Sequence, residues 1–154
     1  MKIKPFFILT LLLSSCGQNE VLLPFDGCNL VIPKSFNKND DVEYSAKAIS
    51  YYGKEDIVTK NIHYFKSAEN EYQRLISNQE IEQVLTFKKG NLVFRGANNK
   101  NSKVVITDSP NFLFVYDGEH LLLTSNLFKK DIIEMTKYCF DEKDRKTFFG
   151  LTKA

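Results

Sequence analysis

The sequence predicts an α+β domain: an antiparallel β-sheet in meander order, a short middle helix, and a C-terminal helix packed on one face of the sheet. Two patterns point there. Between residues 83 and 124, short runs rich in Val, Leu, Phe and Ile alternate with turn residues at Gly90-Asn91, Asp108-Ser109-Pro110-Asn111 and Asp117-Gly118-Glu119-His120. Closely spaced strands with short turns pair antiparallel. Two other segments carry apolar residues at helical spacing, Tyr72/Leu75/Ile76 and Phe128/Ile132/Met135/Cys139.

Taken in order, Cys28-Asn29-Leu30-Val31-Ile32 reads as a short strand stopped by Pro33. Residues 34–43 form a polar loop. Ala46 to Tyr52 alternates weakly, Gly53-Lys54-Glu55-Asp56 is a turn, and Ile57 to Lys66 is a strand, so the two runs make a hairpin. On that strand Val58, Ile62 and Tyr64 share one face, with Thr59, Asn61, His63 and Phe65 on the other. Ser67 is placed to cap the middle helix, with Glu69 and Glu71 in its first turn and its end near Asn78. Gln83–Phe87 and Leu92–Arg95 are strands joined through Gly90-Asn91. Gly96 to Ser102 is a polar loop, and Lys103–Thr107, Phe112–Tyr116 and Leu121–Thr124 are further strands. Ser125 or Asn126 caps the C-terminal helix. Residues 141–154 open on Asp141-Glu142-Lys143-Asp144-Arg145-Lys146 and read as a polar tail, with Phe148 and Phe149 available to dock it. The folded domain is expected over 28–140. The proline-stopped first strand and the closing helix resemble the patterning of PsbP-like sandwiches, a resemblance that carries no functional residue.

The N-terminus has its own logic. Lys2 and Lys4 precede the apolar run Phe6-Phe7-Ile8-Leu9-Thr10-Leu11-Leu12-Leu13. That run is too short to span a bilayer, which needs ~20 apolar residues, and has the length of a signal peptide. Leu13-Ser14-Ser15-Cys16 follows and resembles the bacterial lipobox. The resemblance covers residues 1–17 and implies a processing route: residues 1–15 removed as a leader, Cys16 acylated, and 16–27 serving as a tether. Gly17 in place of aspartate implies the periplasmic face of the outer membrane rather than retention at the inner membrane. Two or more acyl chains hold a protein stably on a membrane where one does not. With Cys16 committed to lipid, Cys28 and Cys139 remain as an even pair in an oxidising compartment, and they are expected to bond.

Lys2 and Lys4 belong to the leader and are two of 21 basic residues, set against 19 acidic ones. The mature chain is therefore close to neutral, which argues against nucleic-acid binding and against a polybasic lipid clamp. His63 and His120 lack partners at metal-binding spacing. No phosphate loop, dinucleotide fingerprint or nucleophile elbow is present. Asp40-Asp41 and Glu55-Asp56 lack the alternate spacing and central glycine of a calcium loop. No catalytic residue, metal or cofactor is expected. Tyr51, Tyr52, Tyr64 and Phe65 cluster on the first hairpin, and Phe112, Phe114 and Tyr116 on the meander, as contact residues if one sheet face lies open, with Tyr51, Tyr52 and Tyr64 put forward first. The expected function is a tethered, non-catalytic module binding a protein partner, such as an immunity protein facing a toxin. An accessory of an envelope complex and a small-ligand carrier are the alternatives. The expected partners are a bilayer, through acylated Cys16, and a protein.

Overall fold

A computed structural model describes residues 19–39, 48–101 and 107–152. The leader 1–15, Cys16, the acidic pair Asp40-Asp41 and most of the strand expected over 103–107 lie outside the described residues. The elements run β1 (Leu22–Phe25), β2 (Cys28–Val31), β3 (Asn37–Lys38), β4 (Ala48–Glu55), β5 (Val58–Phe65), α1 (Glu69–Ile76), β6 (Ile81–Lys89), β7 (Leu92–Asn99), β8 (Phe112–Tyr116), β9 (Leu121–Ser125), α2 (Lys129–Met135) and α3 (Glu142–Leu151). The architecture is α+β. Seven strands form one antiparallel sheet in the order β3-β4-β5-β9-β8-β7-β6, and β1-β2 is a separate hairpin. The expected meander is β6-β7-β8-β9. Its last strand meets the first hairpin through β5, with Ile62 opposite Thr124 and Tyr64 opposite Leu122.

Local chemistry explains the joints. Gly90, at φ +58, opens the two-residue turn between Lys89 and Leu92, where a side chain would strain the backbone. At Gly96 a Cβ would lie 2.9 Å from the Pro110 ring and 3.0 Å from Leu85 Cβ. The opposing strand shifts register between Gln83 and Leu85, leaving Val84 outward. Arg74 pairs with Glu71 one turn back on α1.

Both faces of the sheet are packed. One buries Ile62, Tyr64, Phe94, Leu113, Val115 and Leu122 against the β1-β2 hairpin, α2 and α3. The other buries Phe65, Ala97, Phe114, Leu121 and Leu123 under Tyr72 and Leu75 of α1. The face that carries Phe112, Phe114 and Tyr116 therefore does not lie open for contact: these residues pack with α1, and the Tyr72 and Tyr116 rings stack with centroids 4.0 Å apart.

Several boundaries move. The tether expected over 16–27 is structured from Leu22, because Leu23 and Phe25 insert into the core. Within the tail expected over 141–154, Glu142–Leu151 is instead a helix. Asp141 accepts from the Asp144 N–H at 2.8 Å and Asp144 answers to the Asp141 N–H at 3.1 Å, a reciprocal cap. Phe148 is fully buried among Phe87, Phe94 and Phe140. Gly53-Lys54-Glu55 belongs to β4, and the turn is Asp56-Ile57, with Asp56 at φ +52. The loop expected from Gly96 is strand as far as Asn99. Ala68 rather than Ser67 precedes α1. Helix α2 stops at Met135, so Cys139 lies beyond it, although still buried.

Candidate functional site

The N-terminal end of the described chain is tied to the region after α2. Glu20 receives Lys137 Nζ and, at 2.6 Å, the Tyr138 hydroxyl. The Lys137 hydrogen bond, with help from Tyr138, holds the Glu20 carboxyl below its usual value. In the turn after β2 the Lys34 N–H donates to Glu134 at 3.0 Å. Cys28 and Cys139 form a disulfide, Cα atoms 5.4 Å apart, fastening β2 to the segment between α2 and α3. The expected pairing is therefore present. A cleft of about 410 Å³ opens beside this anchorage, lined by Glu20, Lys34, Phe36, Lys38, Tyr51 and Glu134 among others.

The three tyrosines put forward as contact residues do not form one surface. Tyr51 and Tyr64 are buried in the core, and only Tyr52 is exposed, on the opposite face of β4. Parity on the strand dictates this, since neighbours point to opposite faces. Tyr51 still borders the cleft. Burial raises its phenol above the ordinary value, partly countered by Lys38. The Tyr64 hydroxyl donates to the Pro24 carbonyl at 2.8 Å, joining sheet to hairpin. Burial, with Asp117 and Glu119 nearby, pushes its phenol up to about 12.

His120 stacks on Tyr64, rings nearly parallel with centroids 6.0 Å apart, and its Nδ1 lies 3.0 Å from Asp117. Asp117 is the hub of that turn. It accepts from the backbone N–H groups of Asp26, Glu119 and His120 at 2.8, 2.9 and 2.7 Å. Burial alone would raise its carboxyl, but these donors outweigh burial and set it below the usual value. A carboxylate with a lowered folded pKa adds stability above its unfolded pKa, near 4, and loses it as pH falls through the folded value. The stability gap between the wild type and Asp117→Asn should therefore narrow as pH drops from 5 to 2.5. Urea midpoints across that range would show it, and a constant gap would refute the assignment.

His63 and Ser50 face each other across β4 and β5, Oγ to Nδ1 2.8 Å. Burial lowers the His63 pKa, favouring neutral imidazole. Sequence spacing did not reveal this pair, and only strand register brings it together. A serine–histidine contact is half of a nucleophile–base constellation. Here the serine is only 4% exposed, so its hydroxyl sits under the surface.

Sequence reasoning also missed Lys60. It lies between Val58 and Ile62 on the inward face of β5 and is 1% exposed. Its ammonium bonds both carboxylate oxygens of Asp131, at 3.0 and 3.1 Å, and reaches Glu55 at 3.3 Å. The Phe36 and Phe128 rings flank it at 5.0 and 5.7 Å. Asp131 in turn accepts from the Phe128 N–H at 2.9 Å, ordering the first turn of α2. Fully engaged on both sides, this pair locks α2 to the sheet.

Among the described residues no group of three His, Cys, Asp or Glu side chains could hold a metal, and no helix is long and apolar enough to cross a membrane. The arrangement offers anchorage at one end and partly open surface clefts. No protein-family model matches the chain, and comparison with curated proteins finds no match.

Proposed function

We propose that the chain is a bacterial envelope lipoprotein, anchored through acyl chains on Cys16, whose domain is a non-catalytic module gripping a protein partner. A toxin neutralised at the periplasmic face of the outer membrane is the version that fits such a module. The observation that carries the reading is the basic and apolar leader running directly into Leu13-Ser14-Ser15-Cys16. The Cys28–Cys139 disulfide supports it, since such bonds persist in oxidising compartments. So does the short leash: four residues from Cys16 to Glu20 reach at most ~14 Å, and Glu20 is already clamped to Lys137 and Tyr138. A domain held that close to a bilayer is suited to meeting a partner arriving at the membrane.

The test is metabolic labelling with a palmitate analogue and intact-mass analysis in the native host. The wild type should lose residues 1–15 and gain acyl mass, and Cys16→Ser should do neither. Retention of the leader, or an unmodified Cys16, would sink the localisation. Crosslinking from intact membranes should then yield one stoichiometric protein partner. Recovery of the domain alone would overturn the binding-module reading. The cleft of about 410 Å³ beside Tyr51 favours a small-ligand carrier as the second reading. Co-purification with a multi-subunit envelope complex would instead favour an assembly accessory.

A further inference from the structure

A second groove, of about 380 Å³, runs between α2 and α3, with a lining that shares no residue with the cleft beside the N-terminal anchorage. Its floor is apolar, made by Ile133, Phe149 and Gly150, and three cations border it: Lys129, Arg145 and Lys146. Ile133 is 38% exposed, and the space where a Gly150 Cβ would stand is open. The cations are poorly neutralised. Lys146 pairs with Glu142 at 3.0 Å on open surface. The Lys129 ammonium rests over the Phe149 ring, 4.8 Å from its centroid. The Arg145 Nε–H is buried and has no acceptor among the described residues. The nearby acids are engaged elsewhere: Asp108 takes the Lys129 backbone N–H, Asp141 caps α3, and Asp144 caps α3 and pairs with Lys89.

A buried donor without an acceptor costs about 1–3 kcal/mol and calls for an explanation. A guanidinium presents a planar fork that matches the oxygens of a carboxylate or phosphate, and a weakly hydrated one does so at an apolar wall. We propose that this groove binds a small amphiphilic oxyanion. The charged head, a phosphate monoester or carboxylate, sits on Arg145 with Lys129 and Lys146 beside it, and a short alkyl body lies on Ile133 and Phe149. A volume of about 380 Å³ suits a free small molecule rather than a bilayer surface. The inference holds whether or not Cys16 is acylated.

The test follows the Arg145 Nε–H resonance of the full chain in zwitterionic detergent during titration with inorganic phosphate and with butyl phosphate. Both probes should move the resonance downfield and saturate. Butyl phosphate should bind about tenfold more tightly, under half of the limit set by burying the three methylenes and the methyl of its chain. Arg145→Lys should weaken both probes at least tenfold. Ile133→Ser should reduce butyl phosphate to the affinity of phosphate while leaving phosphate unchanged. Equal affinities for the two probes, a resonance that does not move, or full binding by Arg145→Lys would each overturn the proposal. Phosphatidylglycerol vesicles that shift the resonance when butyl phosphate does not would reassign the groove to a lipid surface and overturn it as well. A cytoplasmic, unacylated protein that still passes these titrations would separate this site from the envelope reading.

Discussion

Asp131→Ala is expected to destabilise the domain by about 3–5 kcal/mol, the range for removing one partner of a buried ion pair. The cost comes from what remains. Lys60 is 1% exposed, and without Asp131 its ammonium keeps only Glu55, itself 31% exposed, and two aromatic faces. The α2 N-terminus also loses the acceptor for the Phe128 N–H, a cap worth about 1 kcal/mol. The pair itself need not be strongly stabilising, because desolvation of two charges offsets much of their attraction. The double variant Lys60→Met, Asp131→Leu should therefore recover most of the loss, to within about 1–2 kcal/mol of wild type, the residue being the missing cap. Urea midpoints at unchanged slope would measure both. A loss under 1 kcal/mol for the single variant, or no recovery in the double, would show that the pair is not what holds α2 to the sheet.

The same residue marks where sequence reading stops. On β5 the alternation of Val58, Ile62 and Tyr64 is plain, yet Lys60 occupies the inward position between them. Hydropathy places a lysine in water; only a counter-charge brought from a residue 71 positions away makes it a core residue. The meander was legible because its signals are local: turn residues at Gly90-Asn91 and at Asp117 to His120, with apolar runs between them. Pairing of β5 with β9 joins segments about 60 residues apart and leaves no local trace. The Ser50–His63 contact was hidden for a related reason. Placing the turn at Gly53 to Asp56 instead of Asp56-Ile57 shifts the hairpin register, and a shift of register changes which side chains meet. In α3 the charges of residues 141–146 masked a helix start. Asp141 and Asp144 form its cap, and Phe148 and Phe149, an apolar pair following the charged run, supply the burial that holds it down.

Removing the Cys28–Cys139 bond, by reduction or by the paired Cys28→Ala, Cys139→Ala replacement, should cost about 2–5 kcal/mol. The two residues are 111 apart. In the chain-entropy account, freeing a loop of that length restores roughly 4–5 kcal/mol of disorder to the unfolded chain, while engineered cases usually deliver less. Native contacts argue that the bond acts with the core rather than in place of it: Cys139 is 5% exposed and packs in the main cluster beside Phe140. The β1-β2 hairpin also has other ties to the body, through Tyr64 to Pro24 and through Asp117 to the Asp26 N–H. The variant should therefore fold, with its loss read in equilibrium unfolding. Because that loss arises mainly in the unfolded ensemble, it should persist after the lysine–aspartate pair is made apolar, and the two effects should add within about 0.5 kcal/mol, as they do for separated sites. Collapse of the fold on reduction would mean that the hairpin is not held by its packing, and a cost below 1 kcal/mol would mean that the unfolded chain is already compact enough to make the link redundant.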